Sequence, residues 1–309
     1  MLALETPPEH PSVLSRTAQA ASAHVAPESP FVETMPGWQI FALAGALIWL
    51  YAPILARLVG QWVRDPNYSH GFFVPAFSAY ALWEDRQRLR SLPRAPSWWG
   101  LAVLALALIV LTAGMLGAEL FLSRASLLLA IAGLVGLIYG WNHLRAAAFP
   151  WLFLLLMIPI PSIIFNQLTF PLQLLASKAA AVTLPLLGVP VLREGNIIQL
   201  PAMALEVAEA CSGIRSLMSL ATLALIYGYL MEPSRAVRVA LACAAIPIAV
   251  VANSFRIVGT GLLVQYWDPE KAEGFFHAFS GWLIFVVSLV LLFLTHRLLQ
   301  MLPAKRESP

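Results

Sequence analysis

The chain is short of charge and nearly devoid of cysteine. Charged residues make up 11% of 309 positions, where a soluble domain carries about 25%. That shortage excludes an ordinary soluble globular enzyme. The formal net charge is only +3, and no basic groove with interleaved aromatics is present, so a single-stranded nucleic-acid binder is excluded too. The two cysteines, Cys211 and Cys243, form no Cys-x-x-Cys pair, which argues against a thiolate metal site. A disulfide between them is not expected, because with Arg256 level with Cys211 the second cysteine falls beyond disulfide reach. Cys243 lies thirteen residues before Arg256 on one predicted helix, a rise of roughly 20 Å. It reads as a small apolar packing residue. No signal peptide is expected, because the first apolar run lies deep in the chain and lacks a basic flank. No internal repeat is visible.

Apolar sequence is what the chain has in abundance. Hydrophobic residues reach 60% and the mean hydropathy is +0.77. The fold class expected is an all-α polytopic membrane protein. Candidate spans are 38–59, 70–83, 98–118, 120–140, 145–160, 211–231, 238–264 and 275–299, about eight helices of which the second and fifth are short against the ~20 residues a crossing needs. Residues 1–36, rich in Pro, Ser, Ala and Glu, read as a disordered cytoplasmic tail, residues 37–300 as the transmembrane domain, and 301–309 as a second cytoplasmic tail.

Basic residues orient the bundle. Arg86, Arg88, Arg90 and Arg94 crowd the 84–97 loop, Arg235 and Arg238 the 232–238 loop, and Arg297, Lys305 and Arg306 the tail. The positive-inside rule makes all three cytoplasmic. Loops 60–69 and 265–274 then face outward. Residues 161–188, apolar but interrupted by Pro171, Gln173, Lys178 and Pro185, would invert the pattern if they crossed. They read as an amphipathic, interfacial or re-entrant helical segment on the outer side. Glu194-Gly195-Asn196 between β-branched runs predicts a small extracytoplasmic hairpin leading into the Cys211 helix. Trp62, Trp98, Trp99, Trp141 and Trp267 mark the expected aromatic belt.

This topology brings a thiol, a guanidinium and an imidazole to one depth. Cys211 opens one helix at the outer face, Arg256 lies toward the outer end of the next, and His277 opens the last. Ionisable groups at membrane depth are expensive and mark function by default. A helix N-terminus and a neighbouring cation both favour a thiolate at Cys211. Arg256 would clamp an oxyanion or a substrate carboxylate, with snorkelling as the plain alternative. His277 would act as general acid and base, or be an interfacial histidine without a role. Arg215, one turn after Cys211, would serve the thiolate or a substrate carboxylate, or simply pair with Glu206 or Glu209. Asn253 lies three residues before Arg256 and is placed to orient it. Ser212, with Ser216 and Ser219, suits close helix packing. His70 is a secondary candidate for substrate positioning. No metal or organic cofactor is expected.

These residues carry a family resemblance. Glu209-Ala-Cys-Ser-Gly-Ile-Arg-Ser216, Asn253-Ser-Phe-Arg-Ile257 and His277 with Gly281 resemble, in that order, the exosortase/archaeosortase family. Tyr68-Ser-His-Gly71, Pro159-Ile-Pro161 and Val191-Leu-Arg-Glu-Gly-Asn196 extend the likeness over about residues 40–300. The resemblance implies a bacterial inner-membrane cysteine transpeptidase or protease acting on membrane-anchored proteins with a C-terminal sorting signal: a Pro-Glu-Pro motif, a transmembrane helix and a basic cluster. It implies Cys211, Arg256 and His277 as the catalytic set, a frequent association with exopolysaccharide loci, the lipid bilayer as a partner, and an acceptor that the chain does not reveal. The competing expectation is a non-catalytic membrane component of exopolysaccharide assembly or export.

Overall fold

The computed structural model describes residues 37–207, 213–267 and 275–301, the side chains at 213–215, 275–278 and 280 excepted. The expected tails at 1–36 and 302–309 and the residues around Cys211 lie outside the described residues.

Apolar helices dominate because the hydrophobic runs are long and backbone polar groups in lipid must be satisfied within a segment. Helix α1 (Gly37–Arg64) leaves Trp38, Phe41, Ile48 and Trp49 on its outside, as suits a lipid-facing surface. A 3-10 turn (Pro66–Phe72), started by Asp65 accepting a hydrogen bond from the Asn67 amide at 2.9 Å, leads into the short α2 (Phe73–Glu84). After α3 (Arg86–Ser91), α4 (Trp99–Leu116) and α5 (Leu120–Ile138) form a tight antiparallel pair. Glycine permits that closeness: a Cβ on Gly133 would lie 2.7 Å from the Leu104 amide nitrogen. Short helices α6 (Trp141–Ala146) and α7 (Ala148–Phe153) and a second 3-10 turn (Leu154–Met157) follow. Next come α8 (Ser162–Leu186), strands β1 (Leu192–Glu194), β2 (Ile197–Gln199) and β3 (Ala204–Glu206), and the long helices α9 (Gly213–Met231), α10 (Arg235–Tyr266) and α11 (Phe275–Met301).

Three buried cores result. Tyr51, Leu58, Trp62, Tyr68, Phe77 and Leu128 join α1 to α5 and the first 3-10 turn. Leu220, Ala224, Leu241, Ala245 and Leu292 join α9, α10 and α11 into a bundle. The third core sets α8 and the sheet on the C-terminal part of α10 through Leu184, Ile198, Leu205, Ile257 and Val264. The 32 residues of α10 extend about 48 Å, more than the ~30 Å hydrocarbon core, and the sheet packs on the C-terminal part of that helix.

The expected hairpin is present. β1 and β2 pair antiparallel with Glu194 opposite Ile197, and Gly195 takes φ +66 in the turn, a conformation glycine adopts without a Cβ clash. A third strand, β3, pairs with β2 and was not anticipated.

The span count differs from the eight read in the sequence. Among the described residues five helices are long and apolar enough to cross a membrane, or six if the bent pair Ala148–Met157 and Ser162–Leu186 is one broken span. The 70–83 run forms only the 12-residue α2, about 18 Å long, with Val74, Phe77, Ser78 and Ala81 turned into protein. The 145–160 run breaks into short helices, and an 88° bend separates it from α8. Such a bend fits a broken span and a re-entrant segment alike. Cys243 also departs from expectation: it is exposed on α10 rather than packed.

Two of the arginine-rich loops share one end of the molecule. Tyr229 at the end of α9 contacts Asp85 at 3.4 Å and lies under the Arg238 guanidinium, 5.1 Å from its ring centroid. The Pro66–Phe72 turn packs against α9 as well.

Candidate functional site

Arg256 lies in the last third of α10, on a helix whose buried face presents Asn253 and Ile257 to the protein. Its guanidinium sits against α11 at Gly281: a Cβ there would be 3.6 Å from Nη2 and 3.7 Å from Cζ. At these distances a methyl group would make ordinary contact, and only a larger side chain would compete with the guanidinium for the space. His277 stands four residues before Gly281, one turn away along α11. The backbone therefore brings the arginine and histidine elements together.

The third element follows from helix geometry. α9 and α10 are joined by the short 232–234 link and pack along their length. They meet where Gly228 faces Arg238, with 3.5 Å between a Cβ on the glycine and the Arg238 Cα. Eighteen residues further along α10 stands Arg256, so an antiparallel partner places it level with the N-terminal end of α9. Arg215 falls in the first turn of α9. Cys211 and Ser212 lie outside the described residues, immediately ahead of that turn.

Asn253 is 7% exposed, one turn before Arg256 on α10. His70 is turned inward. It is 5% exposed, and its Nε2 lies 3.2 Å from the Leu156 carbonyl oxygen. Trp62 Nε1 donates to the Met157 carbonyl at 3.0 Å, and its indole lies so close over Gly71 that a Cβ there would approach Nε1 to 2.5 Å. The Tyr68-Ser-His-Gly71 motif thus builds a buttress: the first 3-10 turn is tied to the second, beside the start of α9. In this arrangement His70 reaches from the first 3-10 turn to Leu156 of the second.

The family assignment matches this architecture. The sequence profile of the transmembrane exosortase (Exosortase_EpsH) matches residues 62–294. The chain belongs to the exosortase family. The match begins at Trp62 in the buttress and runs through α9, α10 and most of α11. No curated protein and no solved structure matches the chain.

Two ionisable features of this exosortase were missed by sequence reading. Arg124, inside the fourth apolar run, is 4% exposed; an arginine within a span was itself the available signal. At the opposite end, Glu232 and His296 pair at 3.1 Å, with Tyr227 Oη 2.8 Å from His296 Nδ1. The hydrogen bond to His296 holds the Glu232 carboxyl below its usual range. Nothing in the local sequence around 232 points to a partner 64 residues away. Among the described residues no group of His, Cys, Asp and Glu is arranged to hold a metal ion.

Proposed function

We propose that the protein is a cysteine transpeptidase or peptidase that cleaves C-terminal Pro-Glu-Pro-type sorting signals at the outer face of the inner membrane. The observation that carries the reading is Arg256 lying flat against Gly281, one turn from His277 and level with the helix that follows Cys211. Family membership supports it independently.

Cys211 as thiolate attacks the scissile carbonyl carbon, and the C=O π electrons move onto oxygen. Arg256 stabilises that oxyanion or grips the signal's glutamate; its planar fork suits either task. Collapse expels the amine, which takes a proton from the His277 imidazolium, leaving a thioester on Cys211. An acceptor nucleophile, or water, then loses its proton to His277 and attacks the thioester, and the thiolate returns. Arg215 and Ser212 flank the thiolate, Asn253 orients Arg256, and His70 supports the wall on which the substrate helix docks. No cofactor enters the chemistry. Both termini are cytoplasmic, and the substrate's own transmembrane helix approaches laterally from the bilayer.

The test is processing in cells. A reporter ending in a Pro-Glu-Pro-type signal is co-expressed with wild type or Cys211→Ala at equal levels. Cleavage by wild type alone is expected. Equal processing by the variant would remove Cys211 as nucleophile and favour a non-catalytic role in exopolysaccharide assembly. The mass of the released product distinguishes hydrolysis from transfer, since transfer adds the acceptor's mass.

A further inference from the structure

Arg124 combines deep burial with an unsatisfied donor. Its side chain enters the protein from the first turns of α5, and its Nε has no hydrogen-bond partner. A buried guanidinium in that state costs free energy unless something completes its coordination. It lines a cavity of about 160 Å³, together with Pro53, Ile54 and Arg57 of α1, Gly114 and Met115 of α4, Ala118, and Leu120 and Ser123 of α5. That space is several times the ~30 Å³ share of one water in the liquid.

Two cations of different character meet there. Arg124 forms the buried floor, and Arg57 stands exposed at the mouth. Tyr68 and then Glu119, in the α4–α5 turn, interact with Arg124 electrostatically, and neither lines the cavity, which holds two arginines. Ser123 donates its hydroxyl hydrogen to the Glu119 carbonyl at 3.1 Å, leaving its oxygen free to accept.

The mouth opens on the lateral wall of the bundle. Met115 is 67% and Leu120 48% exposed beside it, and Leu50 on α1 continues the apolar surface one turn below Ile54. Arg124 lies about one turn inside the end of the 19-residue α5, whose length of about 28 Å nearly matches the hydrocarbon core. This is the depth at which an arginine reaches toward a lipid phosphate. A soluble anion would meet an apolar wall, whereas a phospholipid presents phosphate and acyl chain together.

We propose that Arg124 and Arg57 form a binding site for the phosphate of an anionic phospholipid, whose acyl chain lies along α1 and α4. Arginine's fork holds phosphate oxygens in two-point contacts. The site is separate from the Cys211, Arg256 and His277 elements, and the proposal stands whether or not those residues catalyse transfer.

The test uses the full chain in nanodiscs of mixed phosphatidylglycerol and phosphatidylcholine, released into native mass spectrometry. Wild type is expected to retain phosphatidylglycerol preferentially. Arg57→Gln, a surface change that does not threaten folding, should lower that retention about fivefold, and Arg57→Lys should largely preserve it. Arg124→Gln should lower it about tenfold, with folding checked by size-exclusion profile. Equal retention in wild type and Arg57→Gln would overturn the proposal. Thermal stabilisation by inorganic phosphate equal to that by phosphatidylglycerol, lost in the same variants, would also overturn the lipid assignment.

Discussion

Gly281 leaves the space beyond its own backbone to the Arg256 guanidinium. A Cβ there would meet the Arg256 guanidinium at 3.6 Å, an ordinary contact. Gly281→Ala should therefore leave reporter processing within about threefold of wild type. Gly281→Leu would occupy the space of the guanidinium and displace it. Loss of one oxyanion-stabilising donor typically costs about 10²–10³ in rate, so processing should fall by roughly that factor at unchanged protein abundance. Full activity in Gly281→Leu, measured by initial cleavage rate of the reporter, would remove Arg256 from the site. Arg256 stood out as a candidate in the sequence, since a cation within an apolar run is conspicuous. The contact that positions it was not, because the spacing between 256 and 281 spans two helices and the link between them.

Among the elements, α11 is held at both ends by different physics. Near Gly281 it receives a cation on bare backbone; at its other end His296 engages both Tyr227 of α9 and Glu232 of the α9–α10 link. The Glu232 carboxyl is held below its usual range by its bond to His296. Its ionised form is thus favoured more in the folded than in the unfolded protein. The resulting stabilisation is fully present above the unfolded value, about 4.5, and is lost as pH falls through the lowered folded value. Thermal unfolding of the detergent-purified protein should show the wild-type advantage over Glu232→Gln at pH 7 and lose it progressively as the pH falls below 4.5 through the lowered folded value. A gap between the two proteins that is unchanged across that range would show that the pair contributes nothing through ionisation. The hairpin was readable in advance, since Gly195 signals a local turn. The β3 pairing was not, because Leu205 joins Ile198 across a connection of low pattern.

For the whole molecule, topology is the open expectation with the sharpest consequence. The sheet and the start of α9 stand at one end, the 84–97 and 232–238 loops at the other. With the arginine-rich end cytoplasmic, a membrane-impermeant maleimide should label Ala202→Cys, in the link between β2 and β3, in intact cells. Ser234→Cys should be labelled only after permeabilisation. Both are made in a Cys211→Ser, Cys243→Ala background, and the reverse pattern would invert the orientation. The same labelling, with cysteines at the two ends of α8, probes the bent α7–α8 segment: a full crossing by α8 would place those ends on opposite sides.

The sequence by itself determined the class of the molecule, its family, the position of its long helices and the turn at Gly195, because hydropathy, residue order and turn chemistry act over short stretches of chain. Only the tertiary structure decided that the 70–83 and 145–160 runs are too short or too broken to count as simple spans, that His70 braces a neighbouring turn, that Arg124 faces a cavity and that Glu232 finds His296. Each of these rests on contacts between segments far apart in the chain, and in a bundle where lipid and core are equally apolar, composition does not say which face of a helix meets which neighbour.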